Sequence, residues 1–182
     1  TNDEIEKAFE ILEKKENVQS YELLCANLTL NNGKIETIYA VNEIRIENPF
    51  HTLVCDVLID GTKLETFYGN GLIVCSSLGS TAYNRSLGGA LVCPALDILQ
   101  ITEIAPILNR SYRSIGSSLI LSGHKKVEFV GNLSHVVVGY DHLTANISDP
   151  RSVKISLSNK KVRILHRSNY VYVDKLRECF FE

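Results

Sequence analysis

No charge of one sign predominates in this sequence of 182 residues: 19 Lys and Arg stand against 21 Asp and Glu, for a formal net charge of -2. General nucleic-acid and membrane-surface binders need a sustained basic excess, so no nucleic-acid or membrane partner is expected. No apolar run approaches the length of a bilayer span. The acidic, amphipathic start has neither the basic flank nor the apolar core of a signal peptide, and a cytoplasmic protein is therefore expected. Repeats, low-complexity tracts and charge blocks are also missing, which leaves no linker to mark. The cysteines are five, an odd number, widely spaced and without a CxxC pair. That pattern excludes a disulfide framework and a cysteine zinc site, and reads as reduced thiols, with Cys25, Cys55 and Cys75 buried in strand patterns. The five histidines show no i, i+4 pair, so no structural metal is expected.

What is present is an ordinary globular composition, 45% hydrophobic and 22% charged, long enough for one domain with appended helices. Thr1 to Asn17 begins with a capping box, Thr1 with Glu4, and puts Ile5, Ala8, Phe9 and Leu12 on one helical face. From Tyr21 the pattern turns to strands. Tyr21 to Leu30, Asn32-Gly33 and Lys34 to Ile46 read as a hairpin, since Asn-Gly supplies the positive φ of a tight turn. Leu53 to Ile59 and Lys63 to Tyr68 flank a second turn at Asp60-Gly61. Ala95 to Ile104 fits either helix or strand. Short strands are expected at Leu119 to Leu121, Lys126 to Val130, His135 to Tyr140, Thr144 to Ile147, Val153 to Leu157 and Lys161 to His166. Turn chemistry separates them, including Ser158-Asn159. Asp174 to Phe181 reads as a terminal helix. Many short strands with frequent turns predict a mainly β, sandwich-like domain with short helices at both ends. The expected divisions are a helix over 1–18, a β-rich domain over 19–166 and a C-terminal segment over 167–182.

The stretch from Gly69 to Pro94 changes character abruptly. Leu72 to Cys75 are four apolar residues in a row, as in a strand buried on both faces. Ser76, Ser77, Gly79, Ser80 and Thr81 then supply hydroxyls and a pliant backbone, and Tyr83 and Asn84 an aromatic face and an amide, a set able to wrap a polar ligand. A purely structural reading also fits: a strand, a turn and a short helix capped by Ser80 or Thr81 that closes at Gly88-Gly89.

Gly69-Asn70-Gly71-Leu72-Ile73, Gly79-Ser80-Thr81-Ala82-Tyr83, Gly88-Gly89 and Pro94 together resemble the dinucleotide-binding signature of NAD kinases. Upstream, Asn42-Glu43 resembles that family's Asn-Glu pair; downstream, Asp141-His142 resembles a turn of its Gram-positive bacterial members. The similarity runs over nearly the whole chain but only over the family's second half, because the Gly-Gly-Asp-Gly motif of its N-terminal nucleotide domain does not occur here. The resemblance implies the NAD-binding domain of an enzyme that phosphorylates the 2′-hydroxyl of the adenosine ribose of NAD, using ATP or polyphosphate. It also implies a divalent ion, magnesium, accompanying ATP, an N-terminal domain as partner, and a homodimer or homotetramer. The general base would lie in the Gly-Gly-Asp-Gly half, so no catalytic residue is assigned within this sequence and the chain alone is expected to be inactive. A degenerate relative that senses NAD or NADP without transfer is the alternative.

Residue by residue, the resemblance implies Asn42 and Glu43 at the ribose, with Thr81, Ala82 and Tyr83 at the adenine and Tyr83 stacking on the purine. Ser86 and Asn84 would lie toward the far end of the dinucleotide, His142 near the phosphates with Asp141 orienting it or lining the ribose, and Asn70 near the nicotinamide. On its residues alone, Glu43 could equally be a solvated strand residue. Neighbours on a strand also point to opposite faces, so Asn42 and Glu43 serve one ligand only if a bulge or strand end turns them. Departures from the family are Leu78, where a hydroxyl is usual, and Tyr68 and Asn70, where close relatives carry Arg and Asp.

Overall fold

A computed structural model describes residues 5–7, 9–10, 17–147, 149–166 and 170–182. The predicted capping box at Thr1 and Glu4, and Ala8 and Leu12 of the apolar face, lie outside the described residues; residues 5–7 and 9–10 are helical, with Ile5 and Phe9 exposed. The chain divides into two compact units, residues 22–159 and the two chain ends, 1–21 with 160–182.

Twelve strands are described: β1 (Val18–Leu30), β2 (Ile35–Ala40), β3 (Glu43–Glu47), β4 (Leu53–Ile59), β5 (Thr62–Gly69), β6 (Gly71–Cys75), β7 (Ile98–Ile104), β8 (Leu119–Ser122), β9 (Val127–Gly131), β10 (Val137–Tyr140), β11 (Leu143–Thr144) and β12 (Pro150–Leu165). They form two antiparallel six-stranded sheets, in the orders β2-β1-β12-β9-β4-β5 and β11-β10-β3-β6-β7-β8. Within 22–159, inward residues of both sheets share one core: Leu24, Val57, Phe67, Phe129 and Ile155 from the first, Ile44, Ile46, Leu72, Val74 and Leu99 from the second. The mainly β, sandwich-like expectation is met, and alternation carries it. Leu53, Cys55 and Val57 are buried while Val54 and Asp56 between them are not. Every residue of β6 is buried, as its unbroken apolar run predicts.

Several boundaries differ from the sequence reading. Lys34 to Ile46 is not one strand; it breaks at Val41-Asn42, where the chain leaves the first sheet (β2) for the second (β3). At Asn32-Gly33 only Gly33 takes a positive φ, 82°, and the bonds Gly33 N to Leu30 O and Leu30 N to Lys34 O make a turn followed by a bulge rather than a two-residue hairpin. Asp60-Gly61, with φ of 51° and 81°, is the two-residue turn expected. Of Ala95 to Ile104, the part from Ile98 on resolves as strand β7, which pairs with both β6 and β8. Ser158-Asn159 is no turn, because β12 runs unbroken through it beside β1 and its ladder outweighs local turn preference.

The unit formed by the chain ends holds α2 (Tyr172–Phe180), which buries no residue, close to the predicted terminal helix. His166 there donates its backbone N–H to Asn17 O, lies 2.9 Å from the Tyr21 hydroxyl and stacks against Tyr170. None of the five cysteines is in a disulfide; Cys55 and Cys75 are buried as expected, whereas Cys25 is only half-buried. Burial pushes the Cys55 and Cys75 thiols up to about 12.

Candidate functional site

The second sheet has a polar outer face. Glu43, Arg45 and Glu47 alternate along β3 with the core residues Ile44 and Ile46, so all three leave the sheet on the same side. By register Glu43 stands beside Cys75, with Gln100 one strand further on, and Arg45 beside Ile73, with Thr102 one strand further on. The segment after β6 folds over this face as a single 3-10 turn, Leu78–Thr81, and a short helix, α1 (Tyr83–Ser86). Neither begins with a side-chain cap. The expected capping by Ser80 or Thr81 is therefore replaced: the Ser80 hydroxyl donates its one hydrogen to Ser77 O (2.7 Å), with Val92 O as the longer alternative acceptor (3.2 Å), while accepting from Val92 N (3.0 Å), and the Thr81 hydroxyl donates to Leu78 O. A buried hydroxyl that ties two passes of chain together is not free to cap a helix. The predicted closure does occur at Gly88-Gly89. Gly88 takes φ 79°, its N–H goes to Arg85 O, and Gly89 N–H goes to Asn84 O.

Asn84 is fully buried, receiving a hydrogen bond from Thr102 at 2.8 Å and donating to Ser80 O and Ala90 O. It braces the segment and is not open to a ligand, contrary to what the resemblance implies. Gln100 repeats the device, accepting from Ala90 N at 2.7 Å and returning a bond to Ala90 O at 3.1 Å.

A cleft of about 310 Å3 lies where β3, α1 and the β10–β11 turn meet, lined by Glu43, Arg45, Glu47, Tyr83 and Asp141. Its architecture depends on the break at Val41-Asn42. Leaving the ladder frees backbone N–H groups, and Asp141, 100 residues away, takes them. One of its carboxylate oxygens accepts from Val41 N at 2.8 Å, the other from Asn42 N at 2.7 Å and Glu43 N at 3.3 Å. Asp141 N–H donates back to Glu43 O at 3.0 Å. The turn needs Asp141 at φ 49°, a conformation Asp tolerates. Asn42 precedes the first residue of β3, so the pair stands at a strand end. Close backbone packing completes the corner: Ser76 N–H donates to Asn42 O, the Ser76 hydroxyl donates to Val41 O, and a Cβ on Gly79 would lie 2.0 Å from Asn42 O.

Glu43 is 5% exposed, and its Oε2 is buried without a hydrogen-bond partner. Burial first, then the Asp141 charge, raise its carboxyl to about 7, against the lowering pull of Arg45. Arg45 donates from Nε to Glu47 at 2.8 Å and from Nη1 to Asp141 O at 3.0 Å, lies 3.8 Å from Glu43, and stands 5.8 Å from the centroid of the Tyr83 ring. Burial and then the Glu47 charge raise the Tyr83 hydroxyl above its usual range.

The structure thus brings Glu43, Tyr83 and Asp141 to one cleft; Asn42, next to Glu43 in sequence, and the half-buried Thr81 and Ala82, which lead into α1, are not among the residues that line it. It does not bring the rest there. Ser86 is exposed at the far end of α1, and His142 is exposed beyond Asp141 and does not line the cleft. Asn70 sits in the β5–β6 turn; the pairing of Glu43 with Cys75 and of Glu47 with Gly71 puts it past the opposite end of β6, about 13 Å or more of strand from Glu43. Tyr68 stacks on Tyr112 with ring centroids 4.3 Å apart. Arg45 and Glu47 escaped the sequence reading, although two-residue alternation from Glu43 marks both. Among the described residues no three His, Cys, Asp or Glu side chains are grouped to hold a metal ion.

Residues 40–167 match the family model described as ATP-NAD kinase C-terminal domain. The chain is 37% identical over 185 aligned residues to NAD kinase 2 of Halalkalibacterium halodurans, covering 99% of this chain and 68% of that protein. It is 32% identical over 180 residues to an NAD kinase of Streptococcus pyogenes, covering 97% of this chain and 65% of that one. Among solved structures, a yeast NADH kinase complexed with NADH superimposes with a TM-score of 0.84 at 19% identity, covering 97% of this chain and 54% of that one. An NAD kinase from Archaeoglobus fulgidus in complex with ATP gives 0.70 at 20% identity, covering 90% and 61%. At such identities these two speak to the fold.

Proposed function

This chain belongs to the family of ATP-NAD kinase C-terminal domains, and on that premise we propose that it is the dinucleotide-binding part of a kinase that converts NAD to NADP. The observation that carries the reading is the buried Glu43 carboxyl with an unused oxygen in a cleft walled by an aromatic ring. A vicinal diol needs such a group: one carboxylate accepts from two neighbouring hydroxyls, and a ring beside it offers a stacking face for the purine. Glu43 would hold the adenosine ribose, Asn42 would add its amide at the strand end, and Tyr83 with Thr81 and Ala82 would face the adenine. Asp141 would act by shape, fixing the backbone from Val41 to Glu43 with both of its oxygens. In line with the resemblance, Ser86, His142 and Asn70 would meet parts of the dinucleotide outside the cleft, Asn70 near the nicotinamide, and a neighbouring copy of a homodimer or homotetramer would help to build that end.

The reaction needs the ribose hydroxyl aligned with the terminal phosphate of ATP, or of polyphosphate, and a base for its proton. These residues supply the alignment. Asp141 is unsuited as base because its lone pairs are committed to three N–H groups, and the Gly-Gly-Asp-Gly base of the family does not occur in this sequence, so the chain by itself would bind NAD without turning it over. Magnesium would arrive with ATP. Five cysteines outside any disulfide fit a reducing compartment such as the cytoplasm. No helix among the described residues is long and apolar enough to cross a membrane. A non-catalytic sensor is the less favoured reading, since the similar proteins are named as kinases.

Calorimetric titration of NAD into the chain and into Tyr83→Ala tests the site. Saturable binding is expected, weakened by about 1–3 kcal/mol in the variant through loss of stacking. Unchanged affinity in a folded Tyr83→Ala protein would refute the assignment.

A further inference from the structure

Arg45 is the one cation among the described residues that line the cleft, so an anion entering there would turn to it. Its guanidinium is already engaged on several sides. Nε donates to Glu47, Nη1 donates to the Asp141 carbonyl, and Glu43 lies 3.8 Å away. The floor beneath it is Gly139, where a Cβ would come 2.5 Å from the guanidinium carbon, so the arginine is seated against bare backbone. Glu47, besides pairing with Arg45, lines the same cleft as Tyr83, and its charge opposes ionisation of the Tyr83 hydroxyl.

We infer that Glu47, by holding Arg45 off the ligand, makes this cleft select an adenosine ribose with a free 2′-hydroxyl over one that carries a 2′-phosphate. The inference rests on the reading of the cleft as the ribose site. A hydroxyl can donate to the unused Glu43 oxygen. A phosphate monoester at neutral pH has about -1.5 to -2 charges and strong acceptor oxygens; it would meet the carboxyl groups of Glu43 and Glu47 at close range while the arginine that could receive it is tied to Glu47 and the Asp141 carbonyl. Glu47 is thus a specificity residue acting through Arg45. For a kinase the consequence is that NADP, once formed, is held less firmly than NAD.

Dissociation constants of NAD and NADP for the 182-residue chain, at one fixed salt concentration, provide the test, and their ratio on the same folded protein cancels losses of stability. The parent is expected to prefer NAD by on the order of tenfold or more, and Glu47→Gln to narrow that preference by about tenfold, since one charge no longer opposes the phosphate and Arg45 is released toward it. Adding Arg45→Met to Glu47→Gln should restore the preference. Equal binding of both nucleotides by the parent, or a ratio unmoved by Glu47→Gln, would overturn the inference while leaving the dinucleotide site intact. Failure to bind either nucleotide would overturn the site reading and the inference with it.

Discussion

Replacing Glu43 with Gln should make the protein more stable at alkaline pH and change little at acid pH. The carboxyl is raised from 4.5 to about 7, mainly because burial opposes its charged form. Below about pH 4 folded and unfolded chains both hold the proton, and the group costs nothing. Between about pH 4.5 and 7 the unfolded chain releases it while the folded chain does not, so folding loses stability as pH rises; above 7 both have released it and the loss is constant. At about 1.4 kcal/mol per unit, the full difference is roughly 3 kcal/mol. The amide introduced by Glu43→Gln does not titrate, so urea unfolding at pH 4 should give parent and variant nearly equal stabilities. At pH 8 the variant should be ahead by up to about 3 kcal/mol, while its affinity for NAD falls. A functional carboxyl kept at the expense of stability is the physical content of this expectation. Curves for parent and variant that run parallel from pH 4 to pH 8 would refute the reasoning about Glu43.

Asp141→Asn keeps a side chain that tolerates positive φ but sets an NH2 against backbone donors; a loss of about 2–3 kcal/mol in urea unfolding is expected, and a change below about 0.5 would show that the N–H clamp contributes little. The same variant removes a charge that raises Glu43, so the pH midpoint of NAD binding should move down. Gly79→Ala drives a methyl against Asn42 O and should destabilise by about 3 kcal/mol; a soluble variant with unchanged melting temperature would mean that the corner yields easily.

Strands such as β4 and β6 were legible because burial writes its period into the residues, two for a strand with one face covered and none for a strand covered on both. The break between β2 and β3 was not, since Ala40-Val41-Asn42 contains neither Gly nor Pro; what ends the strand is a carboxylate 100 residues further on. For the same reason Ser158-Asn159 misled: its turn chemistry is local, whereas the strand that overrides it is set by pairing. Of the site, Asn42, Glu43, Tyr83 and Asp141 were identifiable from family resemblance, but the service of Asp141 to the backbone could only come from geometry. Arg45 and Glu47 could have been found by alternation from Glu43. Asn84, an amide in a promising stretch, proved to be a brace because it is tied to Thr102, a partner distant in sequence, and to Ala90 across the loop.

The most direct measurement is a crystal structure of the chain with NAD bound. It should show the adenosine ribose hydroxyls within hydrogen-bond distance of the Glu43 carboxyl, the purine against Tyr83, and the backbone from Val41 to Glu43 still held by Asp141. Adenosine bound elsewhere, with the cleft between β3 and α1 filled by solvent, would contradict the account.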